Sequence, residues 1–251
     1  MHTTALHPLG VRLTGADLST VDVAVVRRLL AAHGVLVAPA QHLDDAAFVA
    51  FLRRFGELVF TTGETPVPGF PDLNVVTNVG RTTPPRSVFH VDTSYVPVPP
   101  AYTALRAVQI PERGGQTLFT DQYRAHDTLP PELRDTLVGR TITHRVSGVP
   151  GDRDSQAEHP ALRRHPVSGR TSLYLSTPQR CVAVSGMDAA ASAALIDRLY
   201  RHSTAEENTL RHTWSPGDVV MWDNGCVLHR ADHDGVVGDR TMHRGMVAAA
   251  A

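Results

Sequence analysis

Lysine is missing altogether from this chain of 251 residues, so its 24 basic positions are all arginine, set against 25 acidic ones. A net charge of −1 and a pI near 6.9 leave no excess of either sign. That balance speaks against a nucleic-acid or anionic-membrane partner. Cysteine is scarce: Cys181 and Cys226 stand far apart and in no C-x-x-C spacing, which excludes a disulfide framework and fits buried, unpaired thiols in a reducing compartment. No apolar run approaches the length of a membrane span, and Met1-His2-Thr3-Thr4 has neither the charged nor the apolar region of a secretory leader. The expectation is a soluble cytoplasmic protein. Internal repeats, low-complexity linkers and breaks in composition are also missing, and 42% hydrophobic content is enough to bury a core. A single domain over 1–251 follows.

What is present reads as many short strands with a few helices outside them. Leu13 to Leu18 predicts a strand and turn, after which Ser19 or Thr20 caps a helix over Val21–Ala32 that Gly34 ends. Val35-Leu36-Val37 predicts a buried strand. Asp44 or Asp45 caps a second helix over Ala46–Phe55, with Phe48, Phe51, Leu52 and Phe55 at helical spacing. Further strands are predicted at Leu73–Val76, Tyr102–Ile110, Thr117–Thr120 (hairpinned onto the preceding strand through Gly114-Gly115) and Thr171–Leu175. Four more follow at His212–Trp214, Val219–Trp222, Val227–His229 and Thr241–Val247. Asp121 caps a short helix, and Asp188–Arg201 is an amphipathic one. The polar stretch from Gly148 to Pro166 reads as an excursion over the site, and Thr82–Arg86 as a loop that delivers the chain to His90. This pattern predicts a mostly β fold with flanking helices, built on a double-stranded β-helix or jelly-roll core. A doubly wound α/β fold would need regular βαβ alternation and a glycine-rich phosphate turn, and the sequence has neither.

The chemistry concentrates in Phe89-His90-Val91-Asp92-Thr93-Ser94-Tyr95. On an extended strand His90 and Asp92 point to one side and Phe89 and Val91 to the other. An imidazole and a carboxylate so placed, completed by a distant histidine, form the facial set that holds Fe(II) and leaves positions open for reactants. The candidate third ligand is His229, on a late strand.

The ordered set His90-x-Asp92, Gly114-Gly115-Gln116-Thr117, Trp222-Asp223-Asn224, His229-x-Ala231 and Arg240-x-x-x-Arg244 resembles the taurine dioxygenase and 2,4-dichlorophenoxyacetate dioxygenase family over about Leu13 to Val247. The resemblance implies non-haem Fe(II) held by His90, Asp92 and His229, with 2-oxoglutarate and O2 as co-substrates. It implies that Arg240, 11 residues after His229, pairs with the far carboxylate of 2-oxoglutarate, helped by the Thr117 hydroxyl. A guanidinium fork suits that task; the alternative for Arg240 is a solvated charge at a strand end. Arg244 shares strand parity with Arg240. In the family the matching residue receives the substrate's anionic group, which implies a sulfonate, carboxylate, phosphonate or sulfate; the alternative is an ion pair with a structural aspartate. Arg86, with Arg81, makes the pocket mouth cationic, and Tyr95 is a candidate wall. Thr61 and Arg86 stand where the taurine enzymes carry a pocket histidine and asparagine, so the resemblance does not extend to taurine itself. The implied reaction oxidises a substrate C–H bond, by hydroxylation, cleavage beside a heteroatom, desaturation or epoxidation, with release of succinate and CO2. Asp92 occupies the place that related halogenases leave for chloride, so no halogenation is expected. Relatives often form homo-oligomers, which makes an oligomer the expectation here. The competing readings are a β-roll enzyme that uses another divalent metal without 2-oxoglutarate, and a non-catalytic binder of small anions.

Overall fold

Val35, Leu36, Val37 and Ala38 are all buried, and they divide by parity. Val35 and Val37 join one apolar cluster while Leu36 and Ala38 join another, as period-2 alternation requires of a strand covered on both faces. This strand belongs to a computed structural model that describes residues 1–61, 63–81, 87–146 and 155–249.

In chain order, β1 (His2–Ala5) and β2 (Val11–Thr14) precede α1 (Val23–His33), β3 (Val35–Ala38) and α2 (Asp45–Arg53). The short β4 (Leu58–Val59) and β5 (Pro66–Val67) lead to β6 (Phe70–Thr77), followed by β7 (Tyr102–Gln109) and β8 (Thr117–Asp121). Next come α3 (Gln122–Asp127), α4 (Pro131–Leu137), β9 (Thr141–Arg145), β10 (Gln156–Pro160), β11 (Leu162–Arg164), β12 (Thr171–Leu173) and β13 (Cys181–Val184). The last part comprises α5 (Ala189–Ser203), β14 (Thr209–His212), β15 (Val219–Asp223), β16 (Val227–Ala231) and β17 (Thr241–Val247).

The largest sheet has nine strands in the order β1-β2-β3-β15-β7-β17-β6-β5, with β4 also on β17. Helices α1 and α2 cover one of its faces through Val26, Leu30, Phe48, Phe51 and Leu52. A three-stranded sheet, β14-β8-β16, covers the other. Between the two sheets lie Phe119, Leu210 and Val227 from the smaller one and Leu105, Val220, Trp222 and Met242 from the larger. A third apolar cluster joins α3, α4 and α5 to β9, β12 and β13. The fold is mostly β with few helices, and among the described residues no helix is long and apolar enough to cross a membrane. Both cysteines are buried and unpaired.

Several expectations need correction. Asp22, not Ser19 or Thr20, caps α1: its carboxylate accepts from the Ala24 N–H, whereas Ser19 is tied through both N–H and hydroxyl to Asp17. Strand β8 does not hairpin onto β7. The two lie in different sheets, because Gly114 and Gly115 both take left-handed backbone (φ +76° and +70°) and carry the chain across from one sheet to the other. His90 is not in a regular strand but makes one isolated bridge, opposite His229. The stretch from 148 to 166 is not wholly an excursion, since residues 156–160 pair with β9, with Ala157 and His159 inward and Gln156, Glu158 and Pro160 outward. Its part over 148–154, like the loop 82–86, lies outside the described residues.

Candidate active site

Three ligand-type side chains converge where β16 meets the segment before β7. His90 and His229 face each other across a bridge in which each backbone N–H donates to the other's carbonyl at 3.0 Å. Their rings stand 4.3 Å apart between centroids. Immediately after Asp92 the chain turns through Thr93 in left-handed backbone (φ +42°), and the Asp92 carboxylate lies against both rings. Asp92 Oδ1 lies 3.7 Å from His90 Nε2, and Oδ2 lies 3.7 Å from His229 Nε2. One ligand atom from each of the three falls within 4.8 Å of the others. Phe89 and Val91 point away into a small apolar cluster with Leu118, Tyr174 and Leu228.

His229 and Asp92 are in the state that a divalent metal needs of its ligands. His90 Nδ1 lies 2.9 Å from the Val88 carbonyl, which can only accept, so Nδ1 carries a proton and Nε2 is the nitrogen turned to the cluster. Burial pushes the His229 imidazolium down to about 3, so its ring is neutral at pH 7. Burial also pushes the Asp92 carboxyl up, but His229, the Arg244 guanidinium and His90 outweigh it and hold Asp92 well below the usual carboxylate range. The Asp92 and His229 side chains are 5% and 7% exposed against 29% for His90, so the cluster opens to solvent on the His90 side.

Asp92 is aimed by a buried relay. Trp222 Nε1–H donates to Asn224 Oδ1 at 3.2 Å, Asn224 Nδ2–H to Thr103 Oγ1 at 2.9 Å, and the Thr103 hydroxyl to Asp92 Oδ2 at 2.8 Å. This gives the Trp222-Asp223-Asn224 motif a physical role. Asp223 faces another way, accepting from His165 Nε2–H at 2.9 Å and from the Gly225 N–H at 2.8 Å. The turn after Asp92 is held too: His159 Nε2 bonds the Ser94 carbonyl at 2.8 Å and His144 Nδ1 the Ser94 hydroxyl at 3.0 Å.

A second charged locus lies at the start of β17. Arg240 is 1% exposed, and among the described residues no carboxylate pairs with it. Its Nε donates to the Gly115 carbonyl at 2.8 Å and one terminal nitrogen to Thr117 Oγ1 at 3.2 Å. Burial alone pulls its pKa down to about 10, so it remains a cation at neutral pH. Thr117 Oγ1 also receives Trp214 Nε1–H at 3.0 Å. With two donors on its oxygen, the hydroxyl hydrogen is left to point at an incoming acceptor. A cation and a hydroxyl donor, buried side by side without an anion, fit a carboxylate. The glycines make room for this: a Cβ on Gly115 would lie 2.8 Å from Pro111 Cγ and 2.9 Å from Arg240 Cδ.

The proposed substrate residues are placed less uniformly. Arg244 lies against the cluster, with one terminal nitrogen 3.2 Å from Asp92 Oδ1 and the other 3.3 Å from Glu64 Oε1. It does face inward, as strand parity with Arg240 required, and it also makes the aspartate ion pair that was its alternative. Tyr95 is 4% exposed and lies beneath the Arg180 guanidinium, 5.1 Å from its ring centroid. Arg86 lies outside the described residues. The sequence reading missed Thr103, Asn224 as an orienting group, the His144 and His159 clamp, Glu64 and Arg180.

A mostly β protein that gathers two histidines and an aspartate within 4.8 Å has the ligand set of a class of metal-dependent enzymes. The particular family is shown by comparison: the model of the "Taurine catabolism dioxygenase TauD, TfdA family" matches residues 2–246, and the chain belongs to that family. It is 30% identical over 256 residues to the alpha-ketoglutarate-dependent 2,4-dichlorophenoxyacetate dioxygenase of Cupriavidus pinatubonensis, covering 90% of this chain and 88% of that protein. It is 29% identical over 246 residues to an alpha-ketoglutarate-dependent sulfate ester dioxygenase of Pseudomonas putida, covering 90% and 80%. A taurine dioxygenase crystal structure from Burkholderia xenovorans superimposes with a TM-score of 0.86 at 31% identity, covering 99% of this chain and 91% of that one.

Proposed function

We propose that this protein is an Fe(II)- and 2-oxoglutarate-dependent dioxygenase that oxidises a C–H bond of a small anionic substrate, through one catalytic domain over 1–251 with a double-stranded β-helix core. The observation that carries this reading is the pairing of two features. His90, Asp92 and His229 converge with His229 neutral and Asp92 ionised at pH 7, and Arg240 with Thr117 is buried as a cation and donor with no anion beside them among the described residues. An enzyme using another divalent metal for hydrolysis would have no use for the second. Family membership and the two relatives named for alpha-ketoglutarate dependence support the same choice.

In this reading His90 and His229 supply neutral imidazole nitrogens and Asp92 a carboxylate oxygen. Thr103 keeps that carboxylate from rotating. Arg240 and the Thr117 hydroxyl would take the far carboxylate of 2-oxoglutarate. When bound, Fe(II) and 2-oxoglutarate supply the oxidation of a substrate C–H bond by O2, with succinate and CO2 as by-products. The relatives act on 2,4-dichlorophenoxyacetate and on sulfate esters by name, which supports a carboxylate or sulfate as the substrate's anionic group. Arg244, Arg86 and Tyr95 are the residues we assign to the substrate wall.

The test is anaerobic. Fe(II) and then 2-oxoglutarate are added to metal-free protein, and the weak visible charge-transfer band of the chelate is followed. The band is expected in the native protein and is expected to vanish in Arg240→Ala at the same 2-oxoglutarate concentration. Fe(II) binding without any band would remove the dioxygenase reading in favour of the other-metal one.

A further inference from the structure

Strand β6 divides its side chains between two layers. Leu73 and Val75 pack with helices α1 and α2, while Val76 packs with Met242 between the sheets. Asn74 shares parity with Val76, and in the register of β6 against β17 it stands opposite Arg244, as Val76 stands opposite Met242. Residues directly opposite on paired strands put their side chains on one face as neighbours. The Asn74 side chain therefore lies beside that of Arg244, on the side where Arg244 meets Asp92. Asn74 is 0% exposed, and neither its Nδ2 nor its Oδ1 has a hydrogen-bond partner among the described residues. The neighbouring Arg244 Nε is buried and unpartnered as well.

A carboxamide brings two donor hydrogens and an acceptor oxygen. Buried with none of them paired, it costs the fold free energy, whereas an apolar side chain of the same shape in its place would cost little. The strand has no need of it: β6 pairs through its backbone with β17 on one side and β5 on the other. Arg244 makes no use of it either, since its terminal nitrogens go to Asp92 and Glu64. What remains is a donor, an acceptor and a guanidinium N–H on one side of the sheet next to the metal ligands, which a molecule lying there can satisfy together. The way in is on the Glu64 side. That side chain is 40% exposed against 5% for Asp92, and a half-exposed ion pair is a weak tie.

We propose that Asn74 is a specificity-determining residue that reads an uncharged group of the primary substrate, one that both accepts and donates a hydrogen bond, as an amide does. The proposal rests on the dioxygenase reading above. It concerns a contact apart from the anionic one: Asn74 Nδ2–H donates to the oxygen of the substrate group, and Oδ1 accepts from its N–H or O–H. The anionic group is left to the residues already assigned to it.

The experiment uses the anaerobic protein loaded with Fe(II) and 2-oxoglutarate and follows the perturbation of its visible band by carboxylates matched in length and charge that differ in an amide: N-acetylglycine against pentanoate, and hippurate against 4-phenylbutanoate. The native protein is expected to respond to each amide at lower concentration than to its hydrocarbon partner. Asn74→Leu is expected to raise the half-saturating concentration of both amides about tenfold or more, to leave or lower that of both hydrocarbons, and to keep Fe(II) and 2-oxoglutarate half-saturation within about twofold. The metal-free variant is also expected to melt no lower than the native protein, because no internal hydrogen bond is lost. Should Asn74→Leu not fold, Asn74→Ala gives the same readout of preference. A native protein without a preference for the amides, or a variant that keeps it, overturns the assignment. A variant that melts lower and loses amide and hydrocarbon binding alike also overturns it, by showing that Asn74 serves the sheet through an internal water. Absence of any band in the native protein is a separate result, which removes the dioxygenase reading and this proposal with it.

Discussion

Replacing Thr103 by valine tests how far the metal carboxylate depends on the groups behind it. Valine nearly matches threonine in shape, and Thr103 is fully buried, so the change removes a hydroxyl with little change in packed volume. Two hydrogen bonds disappear: the donor to Asp92 Oδ2 at 2.8 Å and the acceptor for Asn224 Nδ2–H at 2.9 Å. The first is a bond to a charged group, of a kind worth about 1.5–3 kcal/mol. Loss of an outer partner of a metal ligand typically lowers metal affinity about 10- to 100-fold. At about 1.4 kcal/mol per factor of ten, that range covers about 1.4–2.8 kcal/mol, so the two figures agree. The second loss leaves the buried Asn224 amide without its acceptor, at about 1–3 kcal/mol of stability. Thr103→Val is therefore expected to need about 10- to 100-fold more Fe(II) for half-saturation and to melt at a lower temperature in the metal-free state. Thr103→Ser, which keeps both bonds, is expected to behave like the native protein in both. The assay is anaerobic Fe(II) titration at saturating 2-oxoglutarate, read by the visible band, with thermal melts of the metal-free proteins. A folded Thr103→Val protein with native Fe(II) half-saturation would refute the idea that the relay orients Asp92.

Two further outcomes are expected. Gly115→Ala should raise the 2-oxoglutarate concentration needed for the band at least tenfold, because its Cβ would lie 2.9 Å from Arg240 Cδ; Gly139→Ala, at a similar φ of +71° with nothing within 4 Å, should show only the backbone penalty of about 1–2 kcal/mol and a native co-substrate titration. The buried His144 has its pKa pushed down to about 3 by desolvation, from 6.5, so as pH falls below 6.5 the unfolded chain takes up its proton first and stability is lost between 6.5 and 3. The rate is up to about 1.4 kcal/mol per pH unit; urea unfolding at several pH values should give this slope, and His144→Gln should flatten it.

The metal cluster could be read from the sequence because its chemistry lies in residue types at recognisable spacing. His90 and Asp92 stand two apart, and His229, Arg240 and Thr117 fall in an ordered set of motifs. The local geometry behind them could not. His90 and Asp92 do share one side, but in a segment held by a single bridge and turned at a left-handed Thr93, not in a regular strand. Thr103 is a single threonine inside a strand, and nothing in its neighbours marks it as the partner of a residue 11 positions earlier. Arg180 looks like any loop arginine until the turn after β12 sets its guanidinium over the Tyr95 ring. The strands over 141–145 and 156–160 escaped for a related reason. They bury His144 and His159 where apolar residues would have shown the period. The helices and strands of the large sheet were easier, since Phe48, Phe51, Leu52 and the run from Val35 to Ala38 announce their own periodicity.

The two imidazoles of the cluster are joined by their own main chain, each residue's N–H on the other's carbonyl. Their separation is thus fixed by peptide geometry, which no side-chain substitution elsewhere can retune, and a slip of one residue would turn one ring to the opposite face altogether. The spacing of the two rings is therefore a property of the backbone pairing between β16 and the segment before β7.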